Sequence, residues 1–300
     1  MADVNHVLVG MGGWDLKPFD SVFYPPKVSK GFRKLEYYSR YFDFVEINAT
    51  FYNTSFSPGQ VKRWLQDVSA NNNFIFAVKL FKGFTHTYDA TEEDLLRVHK
   101  LLGLMAADNK LAGLLMQFPY SFTNNQERRQ YVISLSRAFR PHRLLVEVRH
   151  NSWNVGAAER MFEDNGLLPV NVDLPQIKRH MPLTNVSADD KAYFRMMGRN
   201  IATWENPWRI DESERHIVSD RYYYNYTVEE LKELVQRIRA MNPMPKNSFV
   251  VFHNDPQAHS LVNGFQLRRL LRAEDRIVIP ENLMHKFPRL EGGGVRFDSQ

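Results

Sequence analysis

Eight short apolar runs, most of them followed by a polar patch and then a helix-period stretch, restrict this chain more than any other feature. The runs are Val7–Gly10, Phe44–Asn48, Phe74–Leu80, Leu111–Phe118, the stretch from Leu144 to Trp153, Leu167–Val172, Ala192–Met197 and Ser248–Phe252. Each has the length and residue types of a strand. Between them the spacing predicts helices. Leu35, Tyr38 and Phe42 share one face of Phe32–Phe42. Ser57-Pro58 is a cap followed by proline at the first helical position, opening a helix to about Val68. Thr91 with Asp94 and Thr227 with Glu230 read as capping boxes for helices to about Met105 and Met241. Further helices are expected over Asn125–Phe139, Ala157–Asn165 with Gly166 as the stop, and Ala258–Leu271.

Strand–helix alternation repeated eight times over 300 residues predicts a TIM (β/α)8 barrel. An open doubly wound sheet is the runner-up, but there polar groups gather at one crossover, and here they follow nearly every strand. No Pro- or Ser-rich linker marks a boundary, so one domain over 1–300 is expected, with 272–300 as a C-terminal extension. Two segments break the pattern. Leu174–Asp190 has little periodicity. The long irregular segment after the seventh strand, Gly198–Tyr226, holds Trp204, Trp208 and Tyr222, Tyr223, Tyr224 and Tyr226, too aromatic for a disordered linker.

Composition closes off several classes. Cysteine is absent, which excludes disulfides, a thiolate nucleophile and Cys-ligated metal. The N-terminus has no basic segment followed by an apolar one, and no apolar run approaches the ~20 residues of a membrane span. A cytoplasmic protein without a membrane partner is the expectation. Net charge is +5, from 39 basic and 34 acidic residues, which permits an anionic partner without requiring one.

In a barrel of this kind the site lies at the C-terminal ends of the strands. Those ends carry Glu46 and Asn48, Lys79, Gln117, Glu147 and Arg149, Asn171 and Asp173, Arg195, and His253 with Asn254. Glu147 and Arg149, two apart, point to one face of an extended strand, and His150 and Trp153 follow them. The reading is that three acids, Glu46, Glu147 and Asp173, face three bases, Lys79, Arg149 and Arg195. The bases suit a phosphate or carboxylate. Glu147 and Glu46 are the expected acid/base pair, since crowded carboxylates beside fixed cations can have their pKa values moved apart. His86, His150 and His253 are alternative proton carriers, His253 foremost because it ends a strand. Trp14, Phe51, Tyr52, Phe118 and Trp153 stand beside these positions and suit stacking on a planar ligand or covering a sugar. Glu46, Glu147, Asp173 and His253 are also donors of the kind that hold Mg²⁺, Mn²⁺ or Zn²⁺. The chain lacks HExxH, and three cations compete for the carboxylates, so neither metal nor other cofactor is expected.

At these same residues the chain resembles a known family. GMGGW, FYP at Phe23–Pro25, LEYYSRYFDFVEINATFY, FAVKL, THT at Thr85–Thr87, GLLMQFPYSF, VEVRHNSW, YFRMMGR, VVFHND and the later Asn263 are similar, in order, to the YecE-like proteins, catalogued as domain of unknown function number 72. The resemblance covers about Val7–Leu271 and implies a TIM barrel. It supplies no established reaction, although a likeness to endonuclease-IV-like barrels has been suggested for the family. Its blocks fall on Trp14, Glu46, Asn48, Thr50, Tyr52, Lys79, His86, Gln117, Glu147, Arg149, His150, Trp153, Arg195, Gly198, Asn254 and Asn263. Met197 stands where the pattern has His, and His253 where it has the first of two Asn.

Two functions follow as expectations. The first is an enzyme, hydrolase or lyase in type, acting on a phosphorylated or carboxylated small molecule. Glu147, Glu46 and His253 would move protons; Trp14, Asn48, Tyr52, Lys79, His86, Gln117, Arg149, His150, Trp153, Asp173, Arg195, Asn254 and Asn263 would bind. The second is a nucleic-acid binder or nuclease, in which basic groups grip phosphates and aromatics stack on an exposed base.

Overall fold

The computed structural model describes residues 7–20, 22–177, 179–205, 221–272, 277–290 and 295–298. Nine strands form one all-parallel sheet: β1 (Val7–Met11), β2 (Phe44–Ile47), β3 (Ile75–Lys79), β4 (Leu111–Gln117), β5 (Leu144–Glu147), β6 (Leu168–Pro169), β7 (Asn171–Asp173), β8 (Lys191–Met196) and β9 (Asn247–Phe252). Their order is β6-β5-β4-β3-β2-β1-β9-β8-β7. The two edges, β6 and β7, are consecutive pieces of one run separated by Val170. β6 pairs with β5 and β7 with β8, so the sheet curls round until a single extended segment bridges its ends. The expected sixth strand is therefore real but divided. Strands in a barrel are staggered, and this short run meets one neighbour with its first half and the other with its second.

The helices pack outside. Their starts follow local chemistry. Ser57 accepts from the Gln60 N–H at 3.1 Å to cap α2 (Pro58–Asp67), after the shorter α1 (Lys34–Ser39). Both expected capping boxes form, on α4 (Glu92–Ala107) and on α8 (Val228–Arg239), each contributing about 1 kcal/mol. Asn125 caps α5 (Gln126–Ala138), and α6 (Gly156–Asp164) stops at Gly166, which has φ +63°. α9 (His259–Leu271) lies against β1. Other elements differ from expectation, at three places in the chain. A single turn, α3 (Lys82–Thr85), interrupts the loop after β3; another, α7 (Ile201–Glu205), sits in the segment after β8; and α10 (Glu281–Lys286) joins β10 (Ile277–Pro280) and β11 (Val295–Asp298) in a two-stranded parallel sheet after the barrel. Trp208, with 206–220, lies outside the described residues. The described residues of Leu174–Asp190 form no helix, as its pattern predicts; Asn171 pins the segment instead, taking the Val186 N–H at 2.7 Å and giving its own amide to the Val186 carbonyl at 2.8 Å.

Strand alternation sorts the core into two layers. Phe44, Ala77, Leu115, Leu145, Leu168, Val170, Tyr193, Phe249 and Val251 fill the inside of the barrel. The opposite faces of the same strands, with Val45, Phe76, Val78, Leu114, Met116, Val146, Phe194 and Phe252, meet the helices in a larger layer. Each fully buried large side chain contributes about 1.5–3 kcal/mol. Gly10 faces inward beside Phe44, and a Cβ there would sit 2.1 Å from the Phe44 carbonyl oxygen, so β1 meets β2 this closely only as glycine.

Candidate active site

Counting in twos from the inner layer toward the strand ends identifies which polar residues share the barrel interior. Phe44 leads to Glu46 and then Asn48, Ala77 to Lys79, Leu115 to Gln117, Leu145 to Glu147 and then Arg149, Tyr193 to Arg195, and Val251 to His253. These side chains form a polar layer on top of the apolar one, at the C-terminal mouth.

Arg195 is its hub. The guanidinium is fully buried and donates from Nε to Glu46 Oε2 (3.0 Å), from Nη2 to Glu46 Oε1 (2.8 Å), and from Nη1 to Glu147 Oε2. Arg149 Nε donates to the other Glu147 oxygen at 2.8 Å, and the Tyr193 hydroxyl to Glu46 Oε2 at 2.7 Å. Burial by itself pushes both carboxyls up. Arg195, with His253, outweighs that at Glu46 and holds it far below the usual carboxylate range. Arg195 and Arg149 together pull Glu147 down to about 2. Both glutamates are thus fixed as anions. Arg195, expected to grip a substrate anion, has its fork occupied by carboxylates of its own protein.

His253 Nε2 lies 2.9 Å from Arg195 Nη2 and 3.1 Å from Glu46 Oε1. Burial, then the Arg195 charge, lowers its pKa to about 4, so the ring is neutral at physiological pH. A guanidinium only donates, so a ring accepting at Nε2 carries its proton on Nδ1. Gly12 makes room for it: a Cβ there would stand 2.4 Å from the imidazole and 2.8 Å from Asn48 Nδ2. Asn48 donates to the Gly12 carbonyl at 2.7 Å, and its own Oδ1 is buried without a hydrogen bond.

Lys79 differs from every other charge here. Among the described residues no carboxylate lies within 4.0 Å of Nζ and no acceptor takes its protons. Its near neighbour is the ring of Phe51, 4.2 Å from Nζ to centroid. Burial, then the charge of Arg195, lowers its pKa to about 7, with Arg149 adding and Glu46 and Glu147 opposing. Glu46, Glu147, Arg195 and Arg149 cancel in pairs, so Lys79 is the surplus cation of the mouth. Beside it, His86 is lowered to about 4 by burial and then by Lys79, and its ring meets Phe51 edge-on at 4.8 Å. Arg149 has a second face. Among the described residues only its Nε is engaged by a carboxylate, its side chain keeps 14% exposure, and its guanidinium lies 5.9 Å from the Trp204 ring.

The other expected site residues stand elsewhere. Asp173 points out of the barrel, because Val170 and Val172 take the inner positions of the divided strand. It accepts from Arg199 Nε (2.9 Å) and the Tyr226 hydroxyl (2.7 Å). Asn254 and Asn263 belong to the same outer network. Asn254 donates to Asn263 Oδ1 at 2.7 Å and to the Tyr224 carbonyl at 2.8 Å, and Asn263 accepts from the Tyr226 N–H at 3.1 Å. Together they strap residues 221–227 to the barrel wall. Trp153 is core: 1% exposed, parallel to Phe122 at 5.5 Å, its Nε1 donating to the Phe122 carbonyl. Phe118 is likewise buried, stacked on Phe122. His150 caps a turn, accepting from the Ser152 N–H at 3.1 Å; Gln117 stays in the polar layer, but its amide is given to the Phe118 carbonyl. Trp14 packs edge-on against Trp64, and Tyr52 is 72% exposed beside Phe51. Glu46, Glu147 and His253 do converge, but no set of three or more His, Asp or Glu arranged to hold a metal ion occurs among the described residues. Tyr193 escaped the sequence reading. Its signal was present, since it lies two residues before Arg195 and so shares its face, but an aromatic inside a strand reads as core.

A parallel α/β barrel with helices outside and a buried ion network at the C-terminal ends of its strands defines a TIM-like barrel protein. The chain belongs to the family described as "Protein of unknown function DUF72", whose model matches residues 8–288. It is 28% identical over 290 residues to the UPF0759 protein YunF of Bacillus subtilis, covering 92% of this chain and 99% of that one. A DUF72 family protein of Thermotoga maritima superposes with a TM-score of 0.75 at 26% identity, covering 89% of this chain and 99% of that structure. One from Enterococcus faecalis gives 0.75 at 22% identity, covering 89% and 95%. Among the described residues no helix is long and apolar enough to cross a membrane.

Proposed function

We propose that this barrel is an enzyme acting on a small phosphorylated or carboxylated molecule bound at the mouth between Lys79 and Arg149. The observation that carries the reading is the charge balance: two buried glutamates are matched by two arginines, and Lys79 is left as a cation without a counter-ion among the described residues. An anion seated there would complete the balance and take the Nη edge of Arg149, which no described carboxylate engages, a fork suited to phosphate or carboxylate oxygens. In this reading Glu46 and Glu147 position Arg195 and Arg149 and do not shuttle protons, since carboxyls held this far down stay ionised near neutral pH, with no proton to give and little basicity to take one. Lys79, whose pKa lies near the working pH, takes the proton-transfer role.

The test is thermal stability at low salt against a panel of phosphorylated and carboxylated small molecules, crossed with divalent metals. A ligand at a hundred times its Kd adds about 2.7 kcal/mol. A shift lost in Arg149→Ala and in Lys79→Met is the expected result. A panel without a shift up to millimolar concentrations, or a shift that both variants retain, overturns the reading.

A second reading has one observation in its favour. The indole of Trp204 has two guanidiniums near its ring, Arg149 at 5.9 Å and Arg221 at 5.7 Å, an arrangement that suits a nucleobase stacked beside phosphates. Nucleic-acid binding that weakens steeply as salt rises and is lost in Trp204→Ala would rank this reading first.

A further inference from the structure

Other lysines have partners: Lys34 pairs with Asp15 and Asp20, Lys246 with Asp190, and Lys110 donates to the Asn71 and Asn72 carbonyls. Lys79 is the last residue of β3 and faces the barrel interior. Its Nζ is not among the sealed, unpartnered atoms of the molecule, and the face of Phe51 covers one side of it. It therefore combines a largely desolvated stem, an amine that no described residue claims, and partial exposure at the mouth. Neighbouring strands hold it in place: the Thr50 hydroxyl shares its one proton between the Lys79 carbonyl at 2.6 Å and the Ile47 carbonyl at 2.8 Å, tying the end of β3 to the end of β2.

We propose that Lys79 is an amine nucleophile that forms a Schiff base with a small anion carrying an aldehyde or ketone, an oxo acid or a carbonyl phosphate, an inference that rests on the anion-binding reading above. The chemistry needs no partner beyond water. The uncharged amine attacks the carbonyl carbon and the new N–C bond forms. The carbonyl oxygen then leaves with both amine protons as water, breaking the C–O bond, and the imine takes one proton from solvent to become an iminium. That cation draws electrons from the adjacent carbon and so eases bond cleavage there, a lyase-type outcome. The substrate's carboxylate or phosphate would sit at Arg149.

A free amine is required at working pH, and the groups around Nζ supply one. Burial disfavours the ammonium. Arg195 on β8 and Arg149 beyond β5 repel it, while Glu46 on β2 and Glu147 on β5 oppose them from within ion pairs of their own. His86, after β3, and His253, after β9, are both lowered to about 4 and add no charge near neutrality.

The experiment is reductive trapping on the full-length protein. Glyoxylate, pyruvate and dihydroxyacetone phosphate, with uncharged acetone as control, are each incubated with cyanoborohydride, and the product is mapped by peptide mass. The expected result is a single adduct on Lys79 with at least one of the anionic carbonyls, formed at least about tenfold faster than with acetone and increasingly fast as pH rises through 7. In Lys79→Arg that peptide stays unmodified. Slow labelling spread over the surface lysines with Lys79 untouched, for every compound, overturns the Schiff base. If the same compounds still raise the melting temperature without reductant, and Arg149→Ala abolishes that rise, anion binding stands while the covalent step falls. An adduct on Lys79 that forms as readily with acetone as with the anions overturns the assigned substrate class.

Discussion

Arg195 and Glu46 lie 149 residues apart in the chain and face to face in the barrel, with Nη2 2.8 Å from Oε1 and Nε 3.0 Å from Oε2. The contact links β8 to β2 across the interior, over β9 and β1. It seals the apolar layer beneath it, and it uses up the guanidinium that the sequence offers as a substrate ligand.

Arg195→Met removes a charge on which two buried carboxylates depend. Losing one partner of a buried pair costs about 3–5 kcal/mol, because the remaining charge stays desolvated. Urea unfolding should show a loss in that range, and Arg195→Lys, which lacks the fork, should recover only part of it. A loss below about 1 kcal/mol, the scale of an exposed pair, would mean that the network is solvated.

Acid should unfold the protein through the same pair. Glu46 and Glu147 have folded-state pKa values below the unfolded value of about 4.3. Their stabilisation is therefore fully present above that pH and is lost as pH falls toward and through about 2, where Glu147 titrates. Denaturation midpoints measured from pH 5 to pH 2 should fall steeply. In Glu147→Gln the slope should be shallower, from a lower starting stability; an unchanged slope would remove Glu147 from the acid limb.

Lys79 carries the opposite sign. Its folded pKa, about 7, lies below the unfolded value of about 10.4. Between those values the unfolded chain binds more protons, so stability rises with pH across that window and the cost of the buried ammonium is full below it. Lys79→Met should gain roughly 1–3 kcal/mol at pH 6, and the gain should shrink toward pH 10. A variant that is destabilised at pH 6 would point to a partner holding the ammonium.

Trp153 tests the split between core and mouth. Trp153→Ala should cost about 3–5 kcal/mol and leave any anion-induced thermal shift unchanged once corrected for the lower baseline. Loss of the shift at matched stability would return Trp153 to the site.

Asn263→Ala should act on the strap. It removes the acceptor for the Tyr226 N–H and for Asn254 Nδ2, at a cost of about 1–3 kcal/mol for buried groups left unmatched. Hydrogen exchange should speed up across 221–227 first. Uniform acceleration over the whole chain would assign Asn263 to global stability alone.

The sequence by itself determined the strands, the capped helix starts and the barrel, because these rest on local chemistry. Alternating apolar residues, a Ser-Pro or Thr-x-x-Asp start and a Gly stop act within a few residues of the chain. It also placed Glu46, Lys79, Glu147, Arg149 and Arg195 at strand ends on one face, since a period of two survives as long as a strand is unbroken. Only the tertiary structure decided which charges cancel. The inward alternation of Leu168, Val170 and Val172 runs on through the divided sixth strand and leaves Asp173 outward, on Arg199 and Tyr226. The meeting of β2, β5 and β8 across the interior closed Arg195 onto Glu46 and Glu147, and so left Lys79 and Arg149 facing the mouth. Side-chain direction follows from the backbone period, but pairing follows from distance. Distances between residues scores to more than a hundred positions apart are set by how the barrel closes, which no local pattern records.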